Sequence, residues 1–183
     1  FDKGPRRKML LQKNLYAAFR KLSQKKKYVM FEAYWGKNYS CNPKAIYEYI
    51  QEKHPDMVCI WSLNNENEQI PGNAIKVRRF SWKYYYYLAR ATYFYNNVNW
   101  PDQYEKRADS VEVQNLHGTC LKTMGLDVSD EVNTVKKMEG LRKRKGRWDN
   151  LIYPSTFMTE IEKRVFEFDG QMIENGFLRK DDI

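Results

Sequence analysis

Residues that bind metals or form disulfides are scarce in this chain. Its 183 residues hold two histidines, His54 and His117, and three cysteines, Cys41, Cys59 and Cys120. Two histidines make a protein-ligated metal hard to build. An odd cysteine count with no C-x-x-C pair argues against both a disulfide framework and a thiolate zinc site. The sequence therefore predicts no metal and no cofactor, and a reducing, cytosolic setting. No apolar run approaches the roughly 18–20 residues that span a bilayer, and no signal peptide is visible. Any membrane contact is expected to be peripheral.

Aromatic residues and positive charge are abundant. Aromatics make up 15% of the chain, with 14 Tyr and 5 Trp, and the formal net charge is +9. Tyr and Trp bury large areas while keeping a polar handle. The basic balance favours anionic partners: nucleic acid, an anionic membrane, or a phosphate-rich substrate. The length suits one compact domain, and no internal repeat or clear linker divides it.

The opening residues, 1–27, read as a basic amphipathic helix. Leu11, Leu15, Ala18 and Leu22 recur at helical spacing, with Arg6, Lys13 and Arg20 on the other side and Lys25 to Lys27 following. The stripe suits either an anionic lipid surface or docking on the domain's own core.

From Tyr28 the pattern alternates. Strands are expected at Tyr28–Tyr34, Met57–Trp61, Ala74–Val77, Thr92–Tyr95, Val111–Leu116 and Trp148–Tyr153. Between them, Asn42 is expected to cap a helix with Pro43 in its first turn and Ala45, Ile46, Tyr49 and Ile50 buried. Ser81 is expected to cap another through Arg90. Its serial tyrosines cannot all face one ligand, so most should pack. Val132–Lys145 reads as helix or loop, Thr156–Phe168 as helix, and Gln171–Asn175 as a short helix. The run Arg142 to Arg147 reads as a solvated basic face. Alternation of this kind predicts an α/β layer with a mostly parallel sheet. Such sheets bind ligands beyond the carboxyl ends of their strands, which directs attention to the loops after Tyr34, Asn96 and Leu116.

The sharpest local feature is Leu116-His-Gly-Thr-Cys-Leu-Lys122. His117, leaving a strand's carboxyl end, has the pKa range to take a proton from an attacking hydroxyl. Gly118 permits a sharp turn and close backbone approach. Gly118 and Thr119 offer backbone N–H groups for phosphate oxygens, and Lys122 adds a positive charge. His54, in a turn at the sheet's opposite end, reads as structural.

Three motifs together carry a resemblance. The segment Phe31-Glu-Ala-Tyr-Trp-Gly-Lys-Asn-Tyr-Ser-Cys-Asn-Pro-Lys-Ala-Ile-Tyr47 resembles the opening strand, glycine turn and Asn-Pro helix start of the CDP-glycerol glycerophosphotransferase family, the teichoic acid polymerases and primases. The stretch from Val113 to Gly125 resembles that family's His-Gly-Thr-x-x-Lys-x-x-Gly motif, and Gly176-Phe-Leu-Arg-Lys-Asp181 its Gly-x-Pro-Arg-x-Asp motif. The chain departs from the family pattern at Leu116, Cys120 and Leu178, where Trp, Pro and Pro are usual.

The resemblance implies a Rossmann-like parallel sheet, the first half of a GT-B type glycosyltransferase-like fold, preceded by the basic helix. Residues 28–183 would be the acceptor-side domain. It implies a transferase that moves glycerol phosphate or ribitol phosphate from a CDP-polyol donor to a growing, lipid-linked, phosphate-rich polymer of the cell wall. His117 would be the general base, with Gly118, Thr119, Lys122 and Gly36 holding phosphate or acceptor. Arg179 and Asp181 would lie at the hinge between halves. The donor would bind mainly through a second half missing from this chain, leaving the fragment inactive alone. The expected setting is the cytoplasmic face of the bacterial membrane. The alternative is a basic nucleic-acid-binding or membrane-docking module without catalysis of its own. No RNP-type stacking motif supports the nucleic-acid reading.

Overall fold

Seven parallel strands form one sheet in a computed structural model, which describes residues 4–116, 125–128, 135–153, 155–174, 176 and 178. The strands are β1 (Lys25–Glu32), β2 (Val58–Leu63), β3 (Ile75–Arg78), β4 (Ala91–Asn96), β5 (Val111–Gln114), β6 (Asn150–Tyr153) and β7 (Gln171–Glu174). Their order is β3-β2-β1-β4-β5-β6-β7, and every neighbouring pair is parallel. The helices are α1 (Gly4–Phe19), α2 (Cys41–Lys53), α3 (Trp82–Arg90), α4 (Val135–Lys145) and α5 (Thr156–Phe166).

The central strands are apolar on both faces because helices cover both. On β1, Met30 joins a cluster with Ile60, Phe94, Tyr84, Tyr85 and Leu88 under α3. Its neighbours Val29 and Phe31 join a second cluster with Trp61 and Tyr47 under α2. A third cluster gathers Trp148, Leu151, Val165 and Phe166 around β6 and α5.

Several sequence expectations shift. The first helix ends at Phe19, and Lys25 to Lys27 lie in β1, where Lys25 pairs with Ala91. α1 docks on α3 through aromatic rings, Tyr16 on Tyr85 and Phe19 on Tyr86. This contact, together with Leu15, sets the buried face, so Leu11 and Leu22 of the expected stripe stay exposed. On α2 the buried tyrosine is Tyr47 instead of Tyr49, because the Tyr47 hydroxyl reaches the Pro71 carbonyl and its ring meets Phe31 and Trp61. α2 begins at Cys41, one residue before the expected cap, and the Ser40 side chain makes no capping bond. Residues 171–174 form strand β7 on the edge beside β6, not a helix. Arg147 is buried over the Tyr104 ring, unlike the rest of its basic run. Ser81 caps α3 as expected, accepting from the Tyr84 N–H. Tyr84 and Tyr85 are buried and Tyr86 and Tyr87 half-buried. No described helix is long and apolar enough to cross a membrane.

Candidate active site

The strand order locates a crevice. The chain runs outward from β1 through β2 to β3, then returns to the other side of β1 as β4. The connections leaving β1 and β4 therefore diverge, and a gap opens at their carboxyl ends, where open parallel sheets take ligands.

Polar residues stand at that edge. The last positions of β1, β4 and β5 carry Glu32, Asn96 and Gln114, and the next-to-last position of β2 carries Ser62; Glu32 pairs with Asn96, and Asn96 with Gln114. All four are buried. Glu32 Oε2 accepts from Ser62 Oγ at 2.7 Å and from Arg79 Nε at 3.0 Å. Burial pushes the Glu32 carboxyl up and the Arg79 guanidinium opposes the rise. Asn96 Oδ1 accepts from the Val98 N–H, and Gln114 Nε2 donates to the Val98 carbonyl.

Backbone strain concentrates in the same place. Among the described residues, the non-glycine positions with positive φ are Tyr34, Trp35, Cys41, Phe80, Leu116 and Glu167. Tyr34, Trp35, Phe80 and Leu116 lie in connections that leave strand carboxyl ends, and Cys41 opens α2. Tyr34, Trp35 and Gly36 are left-handed in succession, at φ 46°, 57° and 75°. Such conformations cost roughly 1–3 kcal/mol each outside glycine and persist when their surroundings fix them. Here the fixing is visible. Asn97 Oδ1 accepts from the Tyr34 N–H at 2.9 Å, Asn64 Nδ2 donates to the Trp35 carbonyl at 3.0 Å, and the Asn64 N–H donates to the Gly36 carbonyl at 2.6 Å. A side chain at Gly36 would crowd Arg79 and the Leu63–Asn64 backbone at 3.3 Å.

The edge also holds unsatisfied amides. Asn96 Nδ2, Asn97 Nδ2 and both polar side-chain atoms of Asn115 are buried without a hydrogen-bond partner among the described residues. An unpaired buried polar group costs roughly 1–3 kcal/mol, and in native proteins it usually marks a ligand, a water or a function. The Asn115 carbonyl receives Asn42 Nδ2 at 3.4 Å, which ties the start of α2 to the end of β5.

Of the sequence-predicted site residues, Gly36 is buried at the crevice, in the strained turn. His117, Gly118, Thr119, Lys122, Arg179 and Asp181 lie outside the described residues. Leu116, which precedes His117 in sequence, sits just past β5 at the carboxyl edge with φ 36°. His54 ends α2 on the opposite edge, its N–H bonded to the Ile50 carbonyl, in keeping with a structural part. Sequence reasoning missed Glu32, Arg79, Asn96, Asn97 and Asn115. The available signal was a polar residue at or next to the end of each apolar strand run: Phe31-Glu32, Trp61-Ser62, Tyr95-Asn96 and Val113-Gln114. No cluster of three metal-ligating side chains occurs among the described residues.

Fold and crevice together define a Rossmann-like α/β domain with its ligand edge at the β1/β4 switch point. The particular family follows from comparison: the chain belongs to the CDP-glycerol:poly(glycerophosphate) glycerophosphotransferase family, which it matches over residues 14–183. It is 36% identical over 179 residues to a teichoic acid poly(glycerol phosphate) polymerase of Bacillus subtilis, covering 92% of this chain and 24% of that protein. It is 35% identical over 185 residues to a teichoic acid glycerol-phosphate transferase of Staphylococcus aureus, covering 96% and 47%. The solved wall teichoic acid polymerase TagF superposes with a TM-score of 0.85 at 30% identity, over 97% of this chain and 48% of that one. A histidine variant of that polymerase has been solved after a soak with CDPG. The chain thus spans half or less of the length of these relatives.

Proposed function

We propose that this chain is the acceptor-side half of a GT-B type enzyme that transfers glycerol phosphate from CDP-glycerol to a teichoic-acid-type polymer. The observation that carries the reading is the crevice at the switch point of a sheet whose family handles this chemistry. β5 brings the chain to that crevice immediately before the His-Gly-Thr stretch.

In the proposed reaction the acceptor's terminal hydroxyl oxygen attacks the β-phosphorus of CDP-glycerol. His117 takes the hydroxyl proton as the new P–O bond forms. The bond from the β-phosphorus to the bridging oxygen breaks, and CMP leaves with that oxygen's electron pair. Gly118, Thr119, Lys122 and Gly36 would hold phosphate oxygens or the acceptor. Arg179 and Asp181 would sit at the hinge to a second half that binds most of the CDP-polyol. Base catalysis of this type is worth about 100- to 10,000-fold. His117→Ala in the full-length protein should lower turnover with CDP-glycerol by that factor. Near-normal turnover in a folded variant overturns the assignment, and a parallel assay with CDP-ribitol identifies the polyol.

The same reading puts the protein peripherally on the cytoplasmic face of the cell membrane, with α1 as the lipid contact and the sheet from β1 onward as the acceptor-side domain. Its support is the exposed trio Met9, Leu10 and Leu11 on α1, with Arg7, Lys8 and Lys13 exposed beside them. An apolar patch flanked by basic residues suits an anionic interface. Flotation with anionic vesicles, for the unsubstituted protein and for a variant with Met9, Leu10 and Leu11 each replaced by Ser, tests it; unchanged flotation of the variant removes the helix from this part.

A further inference from the structure

A strip along the carboxyl edge, on the β1–β3 side of the switch point, is not used by the proposed chemistry. It begins at Trp35, which is 44% exposed with φ 57°, and ends at Phe80, which is 39% exposed with φ 64°. Arg79 joins the two. Its Cδ packs against Gly36, its Nε is held by Glu32 at 3.0 Å, and its guanidinium carbon lies 4.1 Å from the centre of the Phe80 ring. Lys37 follows the strained turn and Arg78 ends β3, and both are exposed.

Burial does not explain this arrangement. A tryptophan and a phenylalanine in left-handed backbone are costly, and both leave much of a large apolar ring in water. The backbone bonds from Asn97 and Asn64 hold the Trp35 turn in its strained form. Phe80 is braced from behind by Tyr84, at 5.8 Å between ring centres. Rings held rigidly outward with cations between them suit a ligand that alternates apolar and anionic parts. C–H groups of a polyol lie on ring faces, and phosphates meet Lys37 and Arg78.

We propose that Trp35, Arg79 and Phe80 form a track for a polyol-phosphate chain, gripping units of the acceptor behind its reactive end. The inference rests on the acceptor-side reading above and deepens it. It predicts that the strip senses chain length: a long acceptor reaches it and a single unit does not.

The test is titration of the full-length protein with a long synthetic poly(glycerol phosphate), with glycerol 3-phosphate, and with single-stranded DNA of matched charge. Trp35→Gly keeps the left-handed turn and should not lower the melting temperature. Phe80→Ala and the milder Phe80→Leu remove the second ring. Each loss should weaken the long chain by about 2- to 10-fold, the range for one aromatic contact, and the Phe80 variants should leave turnover on a short acceptor unchanged. Tyr49→Ala, which removes an exposed ring on α2 away from the crevice, should change nothing. Unchanged long-chain affinity in the Trp35 and Phe80 variants overturns the track. So does DNA binding as tight as the polymer and equally sensitive to these changes. If the unsubstituted protein binds the polymer but transfers no glycerol phosphate, the functional reading fails while the track stands on its own titration.

Discussion

Two buried carboxylates should respond in the same direction to the same substitution. Glu162 on α5 and Glu112 on β5 are each pushed up to about 7 from an ordinary 4.5, and burial is the leading cause in both. Their surroundings differ. Glu162 is 2% exposed, and among the described residues its Oε2 has no hydrogen-bond partner and no charged group offsets its burial. Glu112 faces Arg147, whose Nε lies 4.0 Å from its Oε2, and Arg147 and Lys106 oppose the rise. A raised carboxyl binds its proton more tightly folded than unfolded. Stability therefore falls as pH rises from about 4.5 to about 7 and is flat above. For Glu162 that loss is at most about 3 kcal/mol, from 1.36 kcal/mol per pH unit. Glu162→Gln removes the penalty, so the variant should match the parent at pH 4 and be about 2–3 kcal/mol more stable at pH 8. Glu112→Gln should shift in the same direction with pH, because the rise to about 7 stands with the attraction of Arg147 and Lys106 already set against burial. Urea unfolding of the chain and both variants at the two pH values decides the matter. A Glu162→Gln gain equal at both pH values would refute the titration argument, as would a Glu112→Gln variant that loses stability relative to the parent between pH 4 and pH 8.

Two further substitutions probe the edge of the sheet. Asn115→Leu removes a buried amide whose two polar atoms lack partners among the described residues; it should raise stability by roughly 1–3 kcal/mol, seen as a higher thermal midpoint, while lowering turnover of the full-length protein. A lower midpoint would mean that the amide is satisfied in solution. Gly125→Ala puts a Cβ 2.3 Å from the Val165 carbonyl at a φ of 51°; it should cost more than about 2 kcal/mol, and a variant with unchanged urea midpoint would contradict the placement of that glycine against α5.

Much of this architecture was legible because parallel strands covered on both faces must be apolar throughout. Val29-Met-Phe31, Cys59-Ile-Trp61 and Phe94 announced themselves in that way, and the Ser81 cap followed from one hydroxyl before an amphipathic run. Errors fell where local pattern is weakest. Four residues at 171–174 are too few for a helical or a strand period to declare itself, and only pairing with β6 makes them a strand. The buried face of α1 was set by which tyrosines α3 presents, a tertiary fact absent from the leucine spacing. At the candidate site, the His-Gly-Thr stretch stood out as a motif. The asparagines did not, because Asn96, Asn97 and Asn115 are distant in sequence and become one feature only when β4 and β5 pair.

That pairing explains why the edge was hard to read and why it suits a ligand. A strand that carries Glu, Ser, Asn or Gln at or next to its carboxyl end gives up apolar burial there. In one strand this could be a simple stop signal. In four adjacent strands at one register it forms a buried polar floor, with the strained Tyr34–Gly36 turn above it and unsatisfied amides beside it. Each of these features costs stability in the free protein. Their coincidence at the switch point means that a bound phosphate or polyol hydroxyl can recover hydrogen bonds that the core lacks. Such a ligand should therefore stabilise the fold in proportion to how many of these groups it reaches. Asn115→Leu separates that recovery from general electrostatic attraction, because it changes no charge. The variant should lose part of the thermal stabilisation by poly(glycerol phosphate) and keep the salt-dependent part set by Lys and Arg.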